Sequence, residues 1–589
     1  MQVKTVRINP LVVCFYTIVM LLPEVWLQHS HPWWRLPVGI LTNLGLYAVL
    51  AWMLTTAFSF IGEKTGRRME VLLHTVFHCF ALGWTLLQAF LMYYFSRRLD
   101  AFVVQMIRET TLRESSEFVQ TYLLRPSVLI IAVCLILFVM LYVALARRVR
   151  RVPALPTSSM WLSCALSLWA VVLAHAYFFV GSAEECYSKA AGMPVKSNAF
   201  FVLRQSLLQM RDYDEENAHC ARTLAALTVD SRCSTDDPDI ILIIGESFNK
   251  YHSSLYGYPL PTSPRLSTLK DNGELIVFHN VISPSNSTTN SFKYFLSLAC
   301  IDDSCEWYEK PLLPAIMKRN GWNVVFYSNQ FCKEEELSQW DASMGFINAP
   351  SIEPLMFCER NHRTFDYDLQ LLDDYIQHRD RIEKEHNNFV LFHLYGQHVN
   401  ASQRFPEAEA FFHSSDIERE DLTDQQRQEV ADYDNATRYD DRVVENIISM
   451  YADKNAVVIF LSDHGEETFD FRNQHGRTDL NTDTVCGAYH CQLDIPFFIY
   501  LSSIYRKKHE EAFQQICQST ERPFTTDYLP FLILDLLNDK SKWADETKSL
   551  VNPAYIVPHR RPVYGTSHYY ESIVDKTSNN CKFFPYEEK

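Results

Sequence analysis

The hydrophobicity of the chain changes sharply near residue 183, and this change constrains the fold more than any other feature of the sequence. Before it lie five apolar segments, at about residues 10–28, 37–61, 71–95, 127–146 and 160–182. Each segment is long enough to supply the roughly 20 residues with which a helix crosses a bilayer. The sequence therefore predicts an N-terminal α-helical transmembrane bundle of five spans over residues 1–182.

Basic residues between these segments predict the direction in which the chain crosses the membrane. They gather before the first segment, after the second and after the fourth, at Lys4, Arg7, Lys64, Arg67, Arg68, Arg147, Arg148, Arg150 and Arg151. Because cytoplasmic loops carry the excess of Lys and Arg, we expect the N-terminus inside and everything after the fifth span outside. Arg97 and Arg98 oppose this orientation but are outnumbered. Pro23 and Glu24 interrupt the first segment, which favours a retained helix over a cleaved signal peptide.

Residues 183–589 have the size and pattern of one large α/β domain with insertions. Apolar strand-like runs alternate with helical ones, at Ile240–Ile244, Leu275–Phe278, Asn323–Tyr327, Phe389–Leu394, Val457–Leu461 and Pro496–Leu501. This alternation predicts a mostly parallel central sheet with helices on both faces. We expect residues 183–235 to form a linker with interfacial helices, which either lie along the bilayer surface or pack against the domain, and residues 236–589 to form the catalytic domain.

Two of the predicted strands end on acidic residues. One apolar run leads into Gly245-Glu246-Ser247, and another leads into Ser462-Asp463-His464-Gly465. Ligand sites gather at the carboxyl ends of parallel strands, so Glu246, Asp463 and His464 are candidate metal ligands. The competing interpretation of each acid is a helix cap or a surface ion pair. A charge directly after an apolar strand is costly, however, unless a metal or a partner compensates it.

Three hydroxyl residues, Ser287, Thr288 and Thr289, lie where a predicted helix begins, since the apolar spacing from Phe292 onward is helical. A hydroxyl at such a position meets backbone N–H groups and the positive end of the helix dipole, which suit an anionic phosphate. Helix capping is the commoner role of Ser and Thr before helices. Taken alone, these residues favour capping over catalysis.

Together and in this order, these motifs resemble those of the phosphoethanolamine transferases of Gram-negative inner membranes, which are relatives of the alkaline phosphatase and sulfatase superfamily. The family also has a Gly-Tyr-x-x-x-Thr-x-Pro stretch, which this chain carries at Gly257–Pro264. The resemblance implies a C-terminal sulfatase/alkaline-phosphatase-like domain with a nucleophilic threonine. It favours Thr288, because members with an Asn-Val-x-x-Pro lead-in like that at Asn280–Pro284 carry the threonine about there. The Cys-Gly-Thr lead-in of the best-known members is absent, so Ser287 and Thr289 stay alternatives.

The resemblance further implies a zinc site formed by Glu246, the oxygen of the nucleophile, Asp463 and His464. This mixed oxygen and nitrogen set suits Zn²⁺, with one or two ions per site, and is tolerable for Mn²⁺.

Four histidines match or neighbour positions that the family uses. His398 corresponds to the family histidine in a strand-end loop, and His393 is its more buried neighbour. His475 follows the Asp-His pair at nearly the family spacing, and His490 is the weaker competitor for that role. Such histidines can bind a second zinc ion, hold the phosphate or protonate a leaving group, because their pKa lies near working pH. A lone histidine is more often structural.

The resemblance implies a ping-pong reaction in a multi-pass protein of the bacterial inner membrane with a periplasmic catalytic domain. Phosphatidylethanolamine would donate phosphoethanolamine through a phosphothreonine-type intermediate to a lipopolysaccharide-type acceptor, lipid A or a core sugar, or to another acceptor of the cell envelope. Asn329 and Lys333 match positions where relatives contact the phosphoethanolamine group, although a polar loop explains them nearly as well. The outer part is acidic and has no basic stripe, so we expect no nucleic-acid partner.

Three other functions compete with this one. A lipoteichoic-acid-synthase-like glycerol-phosphate transferase has a similar architecture but uses manganese and phosphatidylglycerol. A membrane-tethered phosphodiesterase or sulfatase-like hydrolase is the second alternative, although the sulfatase signature C/S-x-P-x-R is missing near the nucleophile. A catalytically inactive sensor that keeps the fold is the third, and metal content would distinguish it.

Cysteine usage agrees with export. Four of the fifteen cysteines fall in the predicted spans, and the other eleven lie in the outer part, where disulfides are permitted. The close pairs Cys300/Cys305 and Cys486/Cys491, followed by Cys332/Cys358, are the first pairings to expect, although spacing alone does not give connectivity.

Overall fold

The computed structural model describes residues 6–28, 36–95, 99, 103, 115–116, 118–119, 126–153, 199–330, 345–481 and 483–574. The chain divides into two compact units, residues 1–215 and residues 216–589. The helix Ala199–Ala225 lies within the segment expected to be a linker. The domain borders placed at residues 182 and 235 stay predictions.

The first unit is helical in its described part. Its long helices are Pro10–Gln28, Leu36–Thr65, Arg67–Phe95 and Pro126–Arg148. They coincide with four of the five predicted apolar segments, and the fifth, residues 160–182, lies outside the described residues. By length and composition, one described stretch, Arg67–Leu91, is long and apolar enough to cross a membrane. The prediction of five spans is therefore not confirmed.

A small apolar core joins these four helices. Phe15 of the first helix packs in it with Ala81 of the third and Tyr142 of the fourth. Strand β1 (Arg7–Ile8), just before the first helix, pairs antiparallel with β2 (Val152–Pro153), just after the fourth. The start of the first helix and the end of the fourth therefore lie beside each other.

The second unit is built on a seven-stranded sheet in the order β4-β12-β9-β3-β8-β6-β7. The strands of this unit are β3 (Asp239–Gly245), β4 (Leu275–Phe278), β5 (Val281–Ile282), β6 (Asn323–Ser328), β7 (Glu359–Arg360), β8 (Asn388–His393), β9 (Ala456–Ser462), β10 (Glu467–Thr468), β11 (His475–Gly476), β12 (Phe497–Leu501) and β13 (Phe524–Thr525). Strand β12 runs antiparallel to both of its neighbours, and the other adjacent pairs in the sheet are parallel. The mostly parallel sheet is confirmed, and all six predicted strands begin and end within one residue of their predicted bounds.

The central strands are apolar over most of their length because both faces of the sheet are buried. Side chains of β3 alternate between two cores, with Ile240 and Leu242 in one and Ile241 and Ile243 in the other. Both cores also contain residues from helices, which therefore cover both faces of the sheet. The helices of the second unit after Ala199–Ala225 are Pro264–Asp271, Thr288–Leu296, Leu313–Arg319, Glu353–Met356, Asp368–Ile382, Asp424–Met450, Cys486–Leu493, Ser503–Lys508, Glu510–Cys517, Leu529–Leu536 and Tyr570–Ile573.

The predicted disulfide pairings are wrong. Cys300, Cys305, Cys358 and Cys491 are free thiols, whereas Cys486 takes part in a disulfide. Cys486 and Cys491 lie in one helix, Cys486–Leu493, where residues five positions apart point to different faces and are too distant for an S–S bond.

Two of these thiols have other contacts. The Sγ atom of Cys491 lies 3.1 Å from Oδ2 of Asp470, and that of Cys300 lies 3.0 Å from Nζ of Lys548. Cys332, the expected partner of Cys358, lies outside the described residues.

Candidate active site

The ends of two neighbouring strands place the predicted acidic residues at one edge of the sheet. Strands β3 and β9 are parallel, with Gly245 opposite Ser462, so Glu246 and Asp463 leave the sheet at the same level. Strand β8 lies on the other side of β3 and ends at His393, which lies opposite Ile244. This edge is the carboxyl end of the parallel strands, where ligands bind in open α/β sheets.

Glu246, Asp463 and His464 form one compact cluster. All three side chains are fully buried. The Nε2 atom of His464 lies 3.4 Å from Oε1 of Glu246 and 3.1 Å from Oδ2 of Asp463. One ligand atom from each residue lies within 4.8 Å of the others, so the cluster could hold a metal ion.

Ser247, in a sharp turn after β3, makes hydrogen bonds to both Glu246 and Asp463. Ser247 has a φ of 57°, an uncommon backbone conformation for a residue other than glycine. In this conformation its backbone N–H donates to Oδ1 of Asp463 at 3.0 Å, and its hydroxyl donates to Oε1 of Glu246 at 2.8 Å. Gly396, with a φ of 52°, approaches so closely that a Cβ there would lie 2.9 Å from the backbone nitrogen of Glu246. The strained turn is thus held by contacts from two other segments.

The structure brings Thr288 to this cluster. Thr288 is the first residue of the helix Thr288–Leu296, and Ser287 is its N-cap residue, although the Ser287 side chain makes no capping hydrogen bond. The Thr288 hydroxyl lies 3.2 Å from Oε2 of Glu246 and 3.2 Å from Nε2 of His464. Thr289 follows it and is buried within the helix. Of the three candidate hydroxyls, Thr288 has these contacts with two of the candidate ligands.

Burial and neighbouring charges shift the pKa values of the cluster in different directions. Burial raises the pKa of Glu246, but the surrounding histidines and Arg477 outweigh it and hold that pKa well below its ordinary value. Burial, reinforced by the charge on Glu246, holds the pKa of Asp463 well above its usual range. Burial and then the charge on Arg477 lower the pKa of His464 to about 3. The imidazole of His464 is thus neutral at pH 7, as a metal ligand must be.

The donor set fits a zinc ion. The Nδ1 atom of His464 lies 3.0 Å from the carbonyl oxygen of Gly465, to which it donates, so Nε2 carries the lone pair. Among the hydrogen bonds of the described residues, none reaches Oδ2 of Asp463, which is buried. A buried acceptor without a donor is costly unless a cation compensates it. Two carboxylates, an imidazole nitrogen and the Thr288 oxygen together offer the four ligands of a tetrahedral zinc site.

Two of the predicted histidines lie near this cluster. His393 ends β8, and its Nε2 atom lies 4.0 Å from Oε2 of Glu246. Burial is the largest influence on it and lowers its pKa to about 4. His398 stacks on Tyr395 with ring centroids 5.2 Å apart, and it contributes to the lowered pKa values of Glu246 and His464.

His475 lies in β11, opposite Thr468 of β10. Its Nδ1 atom is 3.6 Å from Oε2 of Glu429, and its Nε2 atom is 3.9 Å from Oε1 of Glu466. Burial lowers the pKa of His475, but the interactions with Glu429 and Glu466 outweigh it, and the net shift is upward. This histidine therefore holds its proton to higher pH than an ordinary imidazole.

The other predicted substrate-binding residues have different surroundings. The Nδ1 atom of His490 lies 3.0 Å from Oδ2 of Asp494 and 3.1 Å from the hydroxyls of Tyr251 and Tyr570, in a separate polar cluster. The side-chain amide of Asn329 donates to Asp368 at 2.8 Å and accepts from the backbone N–H of Phe365 at 2.7 Å. Lys333 lies outside the described residues.

Two residues near the cluster had no predicted role. Gln330 donates from Nε2 to Oε2 of Glu246 at 3.2 Å and to the carbonyl oxygen of Leu394 at 3.0 Å. Arg477 lies with Nη1 2.8 Å from Nε2 of His464. Each lies within five residues of a predicted site residue, but nothing in its local sequence distinguishes it from an ordinary polar loop residue.

The chain is similar to several known proteins. A family model described as sulfatase matches residues 238–538. The chain is 27% identical over 320 residues to the phosphoethanolamine transferase EptC of Escherichia coli, a match over 54% of this chain and 53% of that one. The chain thus spans about half the length of the curated relatives that it matches.

Two solved structures have a similar fold. One is the integral membrane lipooligosaccharide phosphoethanolamine transferase A (EptA) of Neisseria meningitidis, with a TM-score of 0.59 and 16% identity over 92% of this chain and 97% of that one. The other is the C-terminal periplasmic domain of EptC from Escherichia coli in complex with Zn, with a TM-score of 0.50 and 23% identity over 59% of this chain and 97% of that one.

Proposed function

Since the chain belongs to the sulfatase family, we propose that it transfers phosphoethanolamine from phosphatidylethanolamine to lipid A or a core sugar of lipopolysaccharide. The observation that carries this proposal is the position of the Thr288 hydroxyl, 3.2 Å from both Glu246 and His464 at the carboxyl edge of the sheet. A hydroxyl at the start of a helix and beside a metal-ligand cluster is suited to attack an anionic phosphorus centre. The names of the EptC and EptA relatives support the choice of the transferred group and of a lipopolysaccharide-type acceptor.

We propose that Glu246, Asp463, His464 and the oxygen of Thr288 hold a Zn²⁺ ion. The zinc complex of the similar EptC domain supports this choice of metal. Bound there, zinc would supply positive charge that lowers the pKa of the Thr288 hydroxyl and offsets the negative charge of the phosphate.

The chain's own residues account for the remaining chemistry. Glu246 accepts a hydrogen bond from the Thr288 hydroxyl and orients it. After the hydroxyl proton passes to water, Oγ1 of Thr288 forms a bond to phosphorus and the bond from phosphorus to the glycerol oxygen breaks. His475, whose pKa is raised by Glu429 and Glu466, donates a proton to that oxygen, and diacylglycerol leaves.

The second half of the reaction returns these residues to their starting state. His475 takes the proton of the acceptor hydroxyl, whose oxygen bonds to phosphorus. The bond between phosphorus and Thr288 then breaks, and Oγ1 recovers a proton from water. His398 and His393 lie near the cluster and are proposed to hold the phosphoethanolamine group together with Lys333.

We propose that the first unit anchors this site at the inner membrane through several spans, with the catalytic domain in the periplasm. The apolar helix Arg67–Leu91 and the full-length similarity to an integral membrane protein support this arrangement. The pairing of β1 with β2 supports it further, because four spans between these strands would return the chain to the side on which it began. An anchor of this kind keeps the site near two substrates that cannot leave the bilayer.

A donor and acceptor assay tests the proposed function. The full chain in detergent would be mixed with zinc, purified lipopolysaccharide and either phosphatidylethanolamine or phosphatidylglycerol. The molecular mass of the lipopolysaccharide would then be measured by mass spectrometry. We expect a mass increase of one phosphoethanolamine group from the first lipid and no change from the second. A glycerol-phosphate increase would favour the synthase-like alternative, and free phosphoethanolamine without a modified acceptor would favour a hydrolase.

A further inference from the structure

We propose that Arg477 binds a non-bridging oxygen of the phosphate that Thr288 attacks. This inference rests on the proposed function, and it adds a cationic residue to the acids, histidines and threonine that the structure brings together. Arg477 follows β11 directly, after Gly476, whose φ is 89°. The chain turns at this glycine, so the residues before and after it have different contacts. His475 contacts Glu429 and Glu466, whereas Arg477 contacts His464 in the cluster.

Arg477 contacts Asn286 and His464, which are both close to Thr288, the first in sequence and the second in space. Its Nη1 atom donates to the carbonyl oxygen of Asn286 at 3.0 Å and lies 2.8 Å from Nε2 of His464. Asn286 precedes Thr288 by two residues, and the same His464 nitrogen lies 3.2 Å from the Thr288 hydroxyl. Because Nε2 of His464 would bind zinc in the loaded site, the contact that holds the guanidinium there is the one to the Asn286 carbonyl oxygen, two residues before Thr288.

Arg477 differs in its ion pairing from two other arginines of this domain. Arg472, five residues earlier, is paired with Glu467 and Asp483, and Arg561 is paired with Glu571. Among the ion pairs of the described residues, none involves Arg477. Its positive charge nevertheless acts on Glu246, Asp463 and His464, so it is directed into the cluster.

A half-buried guanidinium without a carboxylate partner is well suited to an anion. Guanidinium groups bind phosphate oxygens through short, charge-assisted hydrogen bonds. As Thr288 attacks, negative charge collects on the non-bridging oxygens, and a donor fixed in advance stabilises this charge without reorganisation. Arg477 would thus bind the diester in the ground state and bind it more strongly in the transition state, and it gives up no proton in either half of the reaction.

Inorganic phosphate is the probe that tests this inference without relying on turnover. The full-length, zinc-loaded protein in detergent would be titrated with phosphate by calorimetry, as wild type, Arg477→Gln and Arg477→Lys. Arg265→Gln is the matched control, since it removes the same charge from a guanidinium that is 51% exposed and paired with Glu445. Zinc content would be measured on each sample.

We expect Arg477→Gln to weaken phosphate binding at least about tenfold at unchanged zinc content and to lower kcat/KM for transfer by about 10²-fold. Arg477→Lys should restore part of both, and Arg265→Gln should match wild type. Phosphate binding by Arg477→Gln that equals wild type would overturn the inference. A loss of zinc in Arg477→Gln would also overturn it, because Arg477 would then act by holding His464.

The two proposals fail separately. If wild type transfers phosphoethanolamine and Arg477→Gln does so equally well, the inference on Arg477 is wrong and the proposed function stands. If the wild type transfers no phosphoethanolamine, but Arg477→Gln binds phosphate more weakly than the wild type does, the anion-binding role stands and the proposed function is wrong.

Discussion

The hydroxyl oxygen of Thr288 lies 3.2 Å from Nε2 of His464, although 176 residues separate the two along the chain. The helix Thr288–Leu296 and strand β9 meet there, at the carboxyl edge of the sheet. Glu246, at the end of β3, lies 3.2 Å from the same hydroxyl. A hydroxyl, a carboxylate and a neutral imidazole thus come together from three separate segments of the chain.

Removing the Thr288 hydroxyl should abolish transfer while leaving the fold intact. We expect Thr288→Ala to lower kcat by about 10⁴-fold or more, because the nucleophile has no substitute among the groups that contact it. Diacylglycerol release from phosphatidylethanolamine measures this loss. Thr288→Ser, which keeps a hydroxyl, should retain much more activity than Thr288→Ala. Equal activity of wild type and Thr288→Ala would exclude Thr288 as the nucleophile.

Zinc should stabilise the wild-type chain and have no such effect when a ligand is removed. A metal that binds only the folded state adds about 2.7 kcal/mol at a concentration one hundred times its Kd. We expect the thermal midpoint of the wild type in detergent to rise on adding zinc and to fall with a chelator. Glu246→Gln keeps the shape of the side chain and should lose this response. A zinc-dependent midpoint that persists in Glu246→Gln would rule out Glu246 as a ligand.

Gly396 should be required for the position of Glu246. An alanine there would place its Cβ 2.9 Å from the backbone nitrogen of Glu246 in a conformation with positive φ. We expect Gly396→Ala to lower the free energy of unfolding by about 1–3 kcal/mol and to weaken zinc binding. Gly257→Ala is the control, since Gly257 also has positive φ but a Cβ there would meet nothing within 4 Å. If both variants bind zinc like wild type, the close approach of Gly396 does not hold the site.

His252 should make the stability of the catalytic domain depend on pH. Its ring nitrogens lie 2.7 Å from Oδ1 of Asp434 and 2.9 Å from Oδ1 of Asp470. Burial lowers the pKa of His252, but the two acids outweigh burial and raise that pKa to about 10. Burial raises the pKa of Asp434, whereas at Asp470 the charge and hydrogen bond of His252 outweigh burial and the pKa is lowered.

The sign of this effect follows from the raised pKa. A histidine whose pKa is raised on folding stabilises the folded state fully below its unfolded pKa of about 6.5. The stabilisation is lost as pH rises from there to about 10. We expect the thermal midpoint of wild type to fall between pH 6.5 and pH 10 by more than that of His252→Gln, whose midpoint should be lower throughout. Parallel pH profiles for the two proteins would show that His252 is not charged in the folded state.

The strands and the metal-ligand cluster were predictable because both are encoded in local patterns. A strand buried on both faces is a continuous apolar run, and β3 and β9 show this in their sequences. A charge directly after such a run is costly unless a metal or a partner compensates it, which is why Glu246 and Asp463 were candidate ligands. The hydroxyls alone favoured helix capping, and only the resemblance to a known family favoured Thr288.

The features that were missed depend on the directions of side chains in three dimensions. Gln330 and Arg477 reach the cluster from loops with ordinary polar sequences. The spacing of Cys486 and Cys491 suggested a disulfide, but a helix turns these two side chains apart. The apolar segments of the first unit predicted its four described long helices. One described stretch, Arg67–Leu91, is long and apolar enough to cross a membrane, and residues 160–182 lie outside the described part of the chain.

A covalent adduct on Thr288 tests the central claim most directly. The zinc-loaded full chain would be incubated with phosphatidylethanolamine in detergent without an acceptor, digested, and analysed by peptide mass spectrometry beside Thr288→Ala. The account predicts a phosphoethanolamine adduct on Thr288 that is absent from the variant and disappears from wild type when lipopolysaccharide is added. An adduct on Ser287 or Thr289, or no adduct in a protein shown to contain zinc and to transfer the group, would contradict it.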